Sequence, residues 1–290
     1  MAKLNLSPSI LSVGAMLVAM VAFQAGASFA KGLFSTVGAE GTAALRLGFA
    51  AVIMLALWRP WRTPLTRGTA WPILGYGASI GCMTLCFYMA IRTVPLGIAV
   101  ALQFTGPLAV AIFSSRRTMD FVWVASAGAG IFLLLPLSGG ATRLDPTGML
   151  FALGAGVGWG LYIIFGQKAG EAGPGRAVAL GTVIAAVIAA PFGVAHAGLG
   201  LFNPAILPAA LAVAVMTTVL PYWLEMFAMT RLSTPIYGVL SSLEPAIGVL
   251  AGFVLLGERL TLVQIGAVCA IMVASAGAIV THKVGATVAM

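Results

Sequence analysis

The sequence predicts an all-α membrane protein of ten transmembrane helices, arranged as two inverted five-helix repeats with both termini in the cytoplasm. Three observations predict it. Of the 290 residues, 61% are hydrophobic and only 8% are charged, against about 25% charged in ordinary soluble domains. So few charges cannot cover a water-exposed surface, so lipid must cover most of it. The apolar residues fall into ten runs, each near the roughly 20 residues that span a bilayer as a helix. The basic residues alternate from side to side of those runs.

The runs lie at about 10–30, 38–58, 71–91, 95–114, 120–137, 146–166, 177–197, 205–228, 236–256 and 260–281. Backbone in hydrocarbon must satisfy its own hydrogen bonds, so these runs are helices rather than open sheet. A barrel would show short alternating strands. The first run follows Lys3 and ends in Ala-Ser-Phe-Ala, like a cleavable leader, but it exceeds a leader's apolar core of about 7–15 residues. It reads as an uncleaved first helix. Breaks fall at Arg59-Pro60-Trp61-Arg62, Ser114-Ser115-Arg116-Arg117, Ser138-Gly139-Gly140 and Gly170 to Gly175. No stretch is long and polar enough for a separate soluble domain.

Charge orients the bundle. With a cytoplasmic N-terminus, Lys3, Arg59, Arg62, Arg67, Arg116, Arg117, Lys168, Arg176, Arg231 and Lys283 lie inside, and Lys31, Arg92, Arg143 and Arg259 lie outside. That bias follows the positive-inside rule, and nine or eleven helices would split it. The net charge of +8 is therefore loop anchoring, not a nucleic-acid face, since the basic residues are scattered in short gaps. Cys82, Cys86 and Cys269 sit inside apolar runs and read as small packing residues. The histidines, His196 and His282, fall at helix ends, and nothing nearby completes a metal site. No cofactor is expected.

Five helices per half is an odd number, so the halves, 10–137 and 146–281, would be inverted. A shift of 138 places residues 87–136 on 225–274 without a gap. It sets Pro107 on Pro245 and Asp120 on Glu258. Identity between the halves is at chance level, and the shared helix-gap-helix pattern carries the comparison. Inverted repeats let one half rock against the other around a central site.

No enzyme signature is present: no His-Glu-x-x-His, Gly-x-Ser-x-Gly or Gly-x-x-x-x-Gly-Lys-Ser/Thr. A membrane-embedded lipid enzyme would need a nucleophile or metal cluster, and a scaffold subunit gains little from a deep carboxylate. The informative positions are polar residues within spans, because a charge in hydrocarbon faces a cavity or a partner. Arg46, Glu225 and Glu244 qualify. Glu225 lies near the inner end of its run, where it can equally reach the interface. Glu244 lies about eight residues into its own run, too deep for a short side chain to escape. Pro245 frees a backbone carbonyl one turn earlier, and Gly106-Pro107, preceded by Gln103, does so in the first half. Broken helices at matching places point to a midplane site; simple kinks for packing are the plainer reading. Gln24, Gln103, Ser241 and Ser242 serve interhelical hydrogen bonds as readily as a ligand. Tyr88 and Tyr162 could bind a solute or anchor at the interface, whereas Trp159 lies deeper. Gly154, Gly156, Gly158 and Gly160 read as close helix packing.

The stretch Leu243-Glu244-Pro245-Ala246, then Leu255-Leu256-Gly257-Glu258-Arg259-Leu260-Thr261 with Gln264 and Gly266, resembles the second-half signature of the EamA family of the drug/metabolite transporter superfamily. Gly158-Trp159-Gly160 ahead of Lys168 is similar to its repeat-opening motif. Residues 93–107 and 113–117 resemble the amino-acid exporters of that family. The resemblance implies a ten-helix exporter of the bacterial inner membrane, with inverted repeats around a central cavity, moving amino acids. Other small metabolites or drugs are the alternative cargo. The first half departs from the pattern: Gly106 stands where Glu is common, Ala22 where a Trp would open the repeat, and no Gly-Glu precedes Asp120. An amino acid brings an ammonium and a carboxylate. Glu244, Gln103 and the freed carbonyls suit the first, and Arg46 suits the second. Glu225 or Glu244 is the candidate proton carrier, and Tyr88, Trp159, Tyr162 and Ser241 complete the candidate binding set. Gly106, Pro107 and Pro245 are the candidate hinge positions.

Overall fold

In the computed structural model, described over residues 8–62, 67–113, 118–134, 144–229 and 240–288, every regular element is helical among the described residues. The elements are α1 (Pro8–Trp58), α2 (Arg67–Ile91), α3 (Leu96–Gln103), α4 (Thr105–Phe113), α5 (Thr118–Leu134), α6 (Pro146–Gly170), α7 (Pro174–Ala197), α8 (Leu207–Ala214), α9 (Leu220–Met229), α10 (Glu244–Leu256) and α11 (Leu262–Val288). A π-helical turn, Val215–Val219, joins α8 to α9. Among the described residues, five helices are long and apolar enough to cross a membrane: Leu11–Trp58, Gly68–Ile91, Pro146–Gly170, Gly175–Phe202 and Leu207–Glu225. Leu96–Val110, Glu244–Leu256 and Leu262–Ala274 are shorter and apolar.

Helix α1 is two limbs. Gly38 breaks it with φ 71° and ψ 175°, a backbone open to glycine and strained for other residues. A straight helix would hold Phe23 and Arg46 about 35 Å apart, yet the Arg46 guanidinium lies 5.4 Å from the Phe23 ring. The chain therefore doubles back at Gly38. The first limb reaches Val37, seven residues beyond the expected end at 30, because nothing between Lys31 and Val37 breaks a helix.

The second limb packs on α7, where Gly41 meets Ala197 and Gly193 meets Ala44. The first limb packs on the π turn, with Gly26 against Met216 and Thr217. Helix α2 lies along α6, α3 along α10, and α5 along α11. Small residues at these crossings permit the close approach that drives helix association in lipid. Gly106 packs directly on the Gly156 carbonyl of α6, and a Cβ added at Gly158 would lie 2.9 Å from Met83 Cβ.

Two differences from the sequence reading concern breaks. The expected helix over 236–256 is interrupted: Ser242 and Leu243 form a turn, and Glu244 opens α10 rather than lying eight residues inside a continuous helix. Proline at the second position of α10 explains it, since Pro is tolerated at a helix start and breaks an interior. Cys82 and Cys269 are exposed on the bundle exterior rather than packed inside it, while Cys86 is half-buried. The expected breaks at 114–117 and 138–140, and the start of the run at 236–239, lie outside the described residues.

One end of the bundle is tied by polar contacts. Glu258 Oε1 accepts from Lys31 Nζ at 2.7 Å, and its Oε2 accepts from the Leu96 amide, at the start of α3, at 2.8 Å. Asp145 caps α6, accepting from the amides of Thr147 and Gly148, and also accepts from the Thr93 hydroxyl at 2.7 Å. These bonds, the Thr93 hydroxyl first, hold the Asp145 carboxyl below the usual carboxylate range against a smaller opposing push from desolvation.

Candidate functional site

The site begins with a helix fault. Pro221 has no N–H, so the carbonyl of Thr217, four residues earlier, lacks its helical donor. The helix widens there, and the Leu220 amide bonds back to Val215. Arg46 fills the gap. Its Nη2 donates to the Thr217 carbonyl at 3.0 Å, and its Nε donates to Thr218 Oγ1 at 3.0 Å. The guanidinium also stacks against Phe23 and Tyr88, 5.4 Å from each ring centroid, a favourable placement for a desolvated cation. Arg46 is 3% exposed, and no carboxylate pairs with it among the described residues.

The two helix segments whose rings flank this cation also carry buried polar atoms without partners. Gln24 is fully buried, and neither its amide nitrogen nor its oxygen has a hydrogen-bond partner; the same holds for Thr84 Oγ1 and the Tyr88 hydroxyl. Thr84 and Tyr88 are one turn apart on one face of α2. Gln24 adjoins Phe23, whose ring meets Phe87 of α2 at 6.1 Å. Each unmet buried group costs about 1–3 kcal/mol.

The opposite charge sits further along the same track. Tyr222 lies within electrostatic reach of both Arg46 and Glu225. Glu225, one turn along α9, also reaches Tyr76, Tyr162 and Glu244. The Tyr76 and Tyr162 rings lie 4.9 Å apart between centroids, tilted by 31°. Both carboxylates are partly buried, and Glu244 occupies the first turn of α10, where the helix dipole favours an anion. The track thus runs from a cation on α1, past Tyr222, to two carboxylates.

The structure joins some predicted site residues and separates others. Arg46 and Tyr88 touch, and Glu225, Glu244 and Tyr162 share one region. Tyr88 is fully buried, which removes the interfacial reading for it. Gln103, Gly106 and Pro107 form a second locus, the break between α3 and α4, where Phe104 meets Trp159 edge-on at 5.2 Å. Gln103 packs its backbone on Gly156. No hydrogen bond, ion pair or ring contact ties this locus to Arg46 or Glu225 among the described residues. Ser241 and Pro245 flank the corresponding break before α10. Sequence reasoning missed Tyr76, Thr84, Thr217, Thr218 and Tyr222. One signal was available: a proline inside an apolar run, with threonines one turn before it, marks an exposed carbonyl.

The profile of the EamA-like transporter family matches residues 146–280. The chain is 51% identical over 277 residues to the threonine/homoserine exporter RhtA of Salmonella typhimurium (strain SL1344), covering 95% of this chain and 94% of that one. It is 50% identical over 282 residues to RhtA of Escherichia coli (strain K12), covering 97% and 95%. A solved structure titled only as a crystal structure of protein superposes with a TM-score of 0.58 at 19% identity, over 95% of this chain and 98% of that one, so the fold is shared end to end. The chain belongs to the EamA-like transporter family, as a relative of the RhtA exporters.

Proposed function

We propose that this protein is a secondary exporter of small neutral amino acids, threonine and homoserine foremost, in the bacterial inner membrane. The observation that carries the reading is the track from the buried Arg46 to the half-buried Glu225 and Glu244, offered to a zwitterion in a chain half identical to threonine/homoserine exporters. Arg46 takes the carboxylate. Its fork is held at two points by Thr217 and Thr218, so little ordering is left for binding. Glu225 takes the ammonium, with Glu244 beside it as the site that exchanges a proton.

Alternating access of two inverted five-helix repeats, residues 10–137 and 146–281, is the mechanism we assign. The packing supports it. Under the 138-residue shift, the α2–α6 contact corresponds to the contact between α8–α9 and the first limb of α1. The α5–α11 pair and the pairing of the second limb with α7 correspond to themselves. The helices containing Pro107 and Pro245 both break just before their proline. The alternation of the helices is supported by contacts among groups that this topology places on one side: Lys31 with Glu258, Glu258 with Leu96, and Thr93 with Asp145. On the inner side, Gly175 packs on Trp58.

Counterflow of radiolabelled threonine and homoserine in proteoliposomes tests the cargo. Uptake above empty liposomes, competed by unlabelled homoserine, is expected. No flux of either, beside flux of an unrelated drug or nucleotide sugar, would replace this reading.

A further inference from the structure

We propose that Gln24, Thr84 and Tyr88 form a subsite that hydrogen-bonds the hydroxyl on the substrate's side chain, making the transporter select hydroxylated amino acids over their aliphatic isosteres. The inference rests on the amino-acid reading above and names the part of the substrate that this corner reads.

The observation is the set of four buried polar atoms without partners: Gln24 Nε2 and Oε1, Thr84 Oγ1 and the Tyr88 hydroxyl. All three residues are at most 2% exposed. Buried polar groups are nearly always paired, so several unpaired ones on the helices that flank a buried cation mark a place where something else completes them. A hydroxyl carries one donor and two acceptor sites. The Gln24 carbonyl can take its proton, while the Gln24 amide and the Tyr88 hydroxyl can donate to its lone pairs. Thr84 adds a further donor or acceptor one turn from Tyr88.

The placement fits. The guanidinium assigned to the carboxylate lies over the ring of Tyr88 and equally near the ring of Phe23, the neighbour of Gln24 in the chain. A ligand anchored by its carboxylate on Arg46 therefore directs a short side chain toward these atoms. A methyl group in place of the hydroxyl would leave the four atoms unpaired and desolvated. A site built to bond a hydroxyl rejects the analogue lacking it far better than an apolar pocket rejects an added hydroxyl.

The test is inhibition of labelled threonine flux in proteoliposomes by two isostere pairs, threonine against valine and homoserine against norvaline. It is run on the wild type, Gln24→Met, Thr84→Val and Tyr88→Phe, with the melting temperature of each. In the wild type each hydroxylated ligand should inhibit at least about tenfold more strongly than its partner. In the variants the gap should close to within about threefold, and the melting temperature should hold or rise, because an unpaired buried group is replaced by an apolar one. Equal inhibition within both wild-type pairs overturns the inference. So do variants that keep the wild-type ratio, or that lose melting temperature with the ratio intact, since those groups then bond water or protein. Absence of wild-type threonine flux overturns the amino-acid reading itself, whereas threonine flux matched by valine overturns only this subsite.

Discussion

Arg46 carries the most at the scale of single residues. Two of its donors are spent on holding it in place, and its guanidinium lies 5.4 Å from each of two ring centroids. Arg46→Lys keeps the charge and loses the fork and the stack. Normalised threonine flux should fall at least tenfold, by about 1.5–3 kcal/mol of lost charge-assisted bonding, with protein level retained; flux within twofold of wild type would show that the fork is not used. Glu225 and Glu244 separate by the same kind of assay. Glu225→Gln should weaken apparent threonine affinity, because it removes the carboxylate proposed to hold the ammonium. Glu244→Gln should spare threonine exchange and abolish its acceleration by an imposed pH gradient. The opposite pattern would swap the two roles. Before the structure, the chemistry of Arg46, Glu225 and Glu244 was legible, because charge inside an apolar run is rare enough to stand out. Tyr76 and Tyr222 were not, since tyrosines are unremarkable in helices and only the packing shows which of them lie near Arg46 or Glu225.

At the scale of elements, breaks matter more than helices. Pro221 creates the free carbonyl that Arg46 caps. Pro221→Ala returns an N–H, so α8 and α9 should merge into a regular helix and Arg46 should lose an acceptor. The expected result is a higher melting temperature with reduced threonine flux, a combination that plain helix damage does not produce. Gly106 shows the converse. Gly106→Leu drives a side chain into the Gly156 carbonyl and should destabilise by at least about 1–3 kcal/mol, seen as lost folded protein in detergent. Asp145 gives a pH signature. Its carboxyl is depressed in the folded protein, so its contribution is complete above the unfolded value near ~4 and lost as pH falls through the folded value. The melting-temperature difference between wild type and Asp145→Ala should stay constant from about pH 5 to 8 and shrink below about pH 4; a difference that grows in acid would mean that the cap is not the source. Helix positions were legible from the apolar runs. The turn at Ser242–Leu243 was half legible: Pro245 announced an interruption, but a kink and a new helix start look alike in sequence.

For the whole molecule, the exterior is the bilayer-facing part. Trp58, Trp61 and Trp71 are exposed beside Arg59 and Arg62 at the join of α1 and α2, the arrangement that anchors helix ends at a membrane interface. The fold class followed from composition because lipid imposes one rule on every span. The repeat relationship was faint, since apolar text matches itself by chance; the corresponding helix pairs are what support it. Single cysteines placed at 64 and 172 should label only from the cytoplasmic side, and those at 140 and 200 only from outside.

The central claim is that the site reads both charged ends of an amino acid, with Arg46 on the carboxylate and Glu225 on the ammonium. The direct measurement is competition for threonine flux by threonine methyl ester and N-acetylthreonine, in wild type and Arg46→Gln. The account predicts that neither analogue competes in the wild type to within about tenfold of threonine, and that Arg46→Gln erases the difference between threonine and its methyl ester while leaving N-acetylthreonine excluded. A methyl ester that competes as well as threonine on the wild-type protein would contradict it.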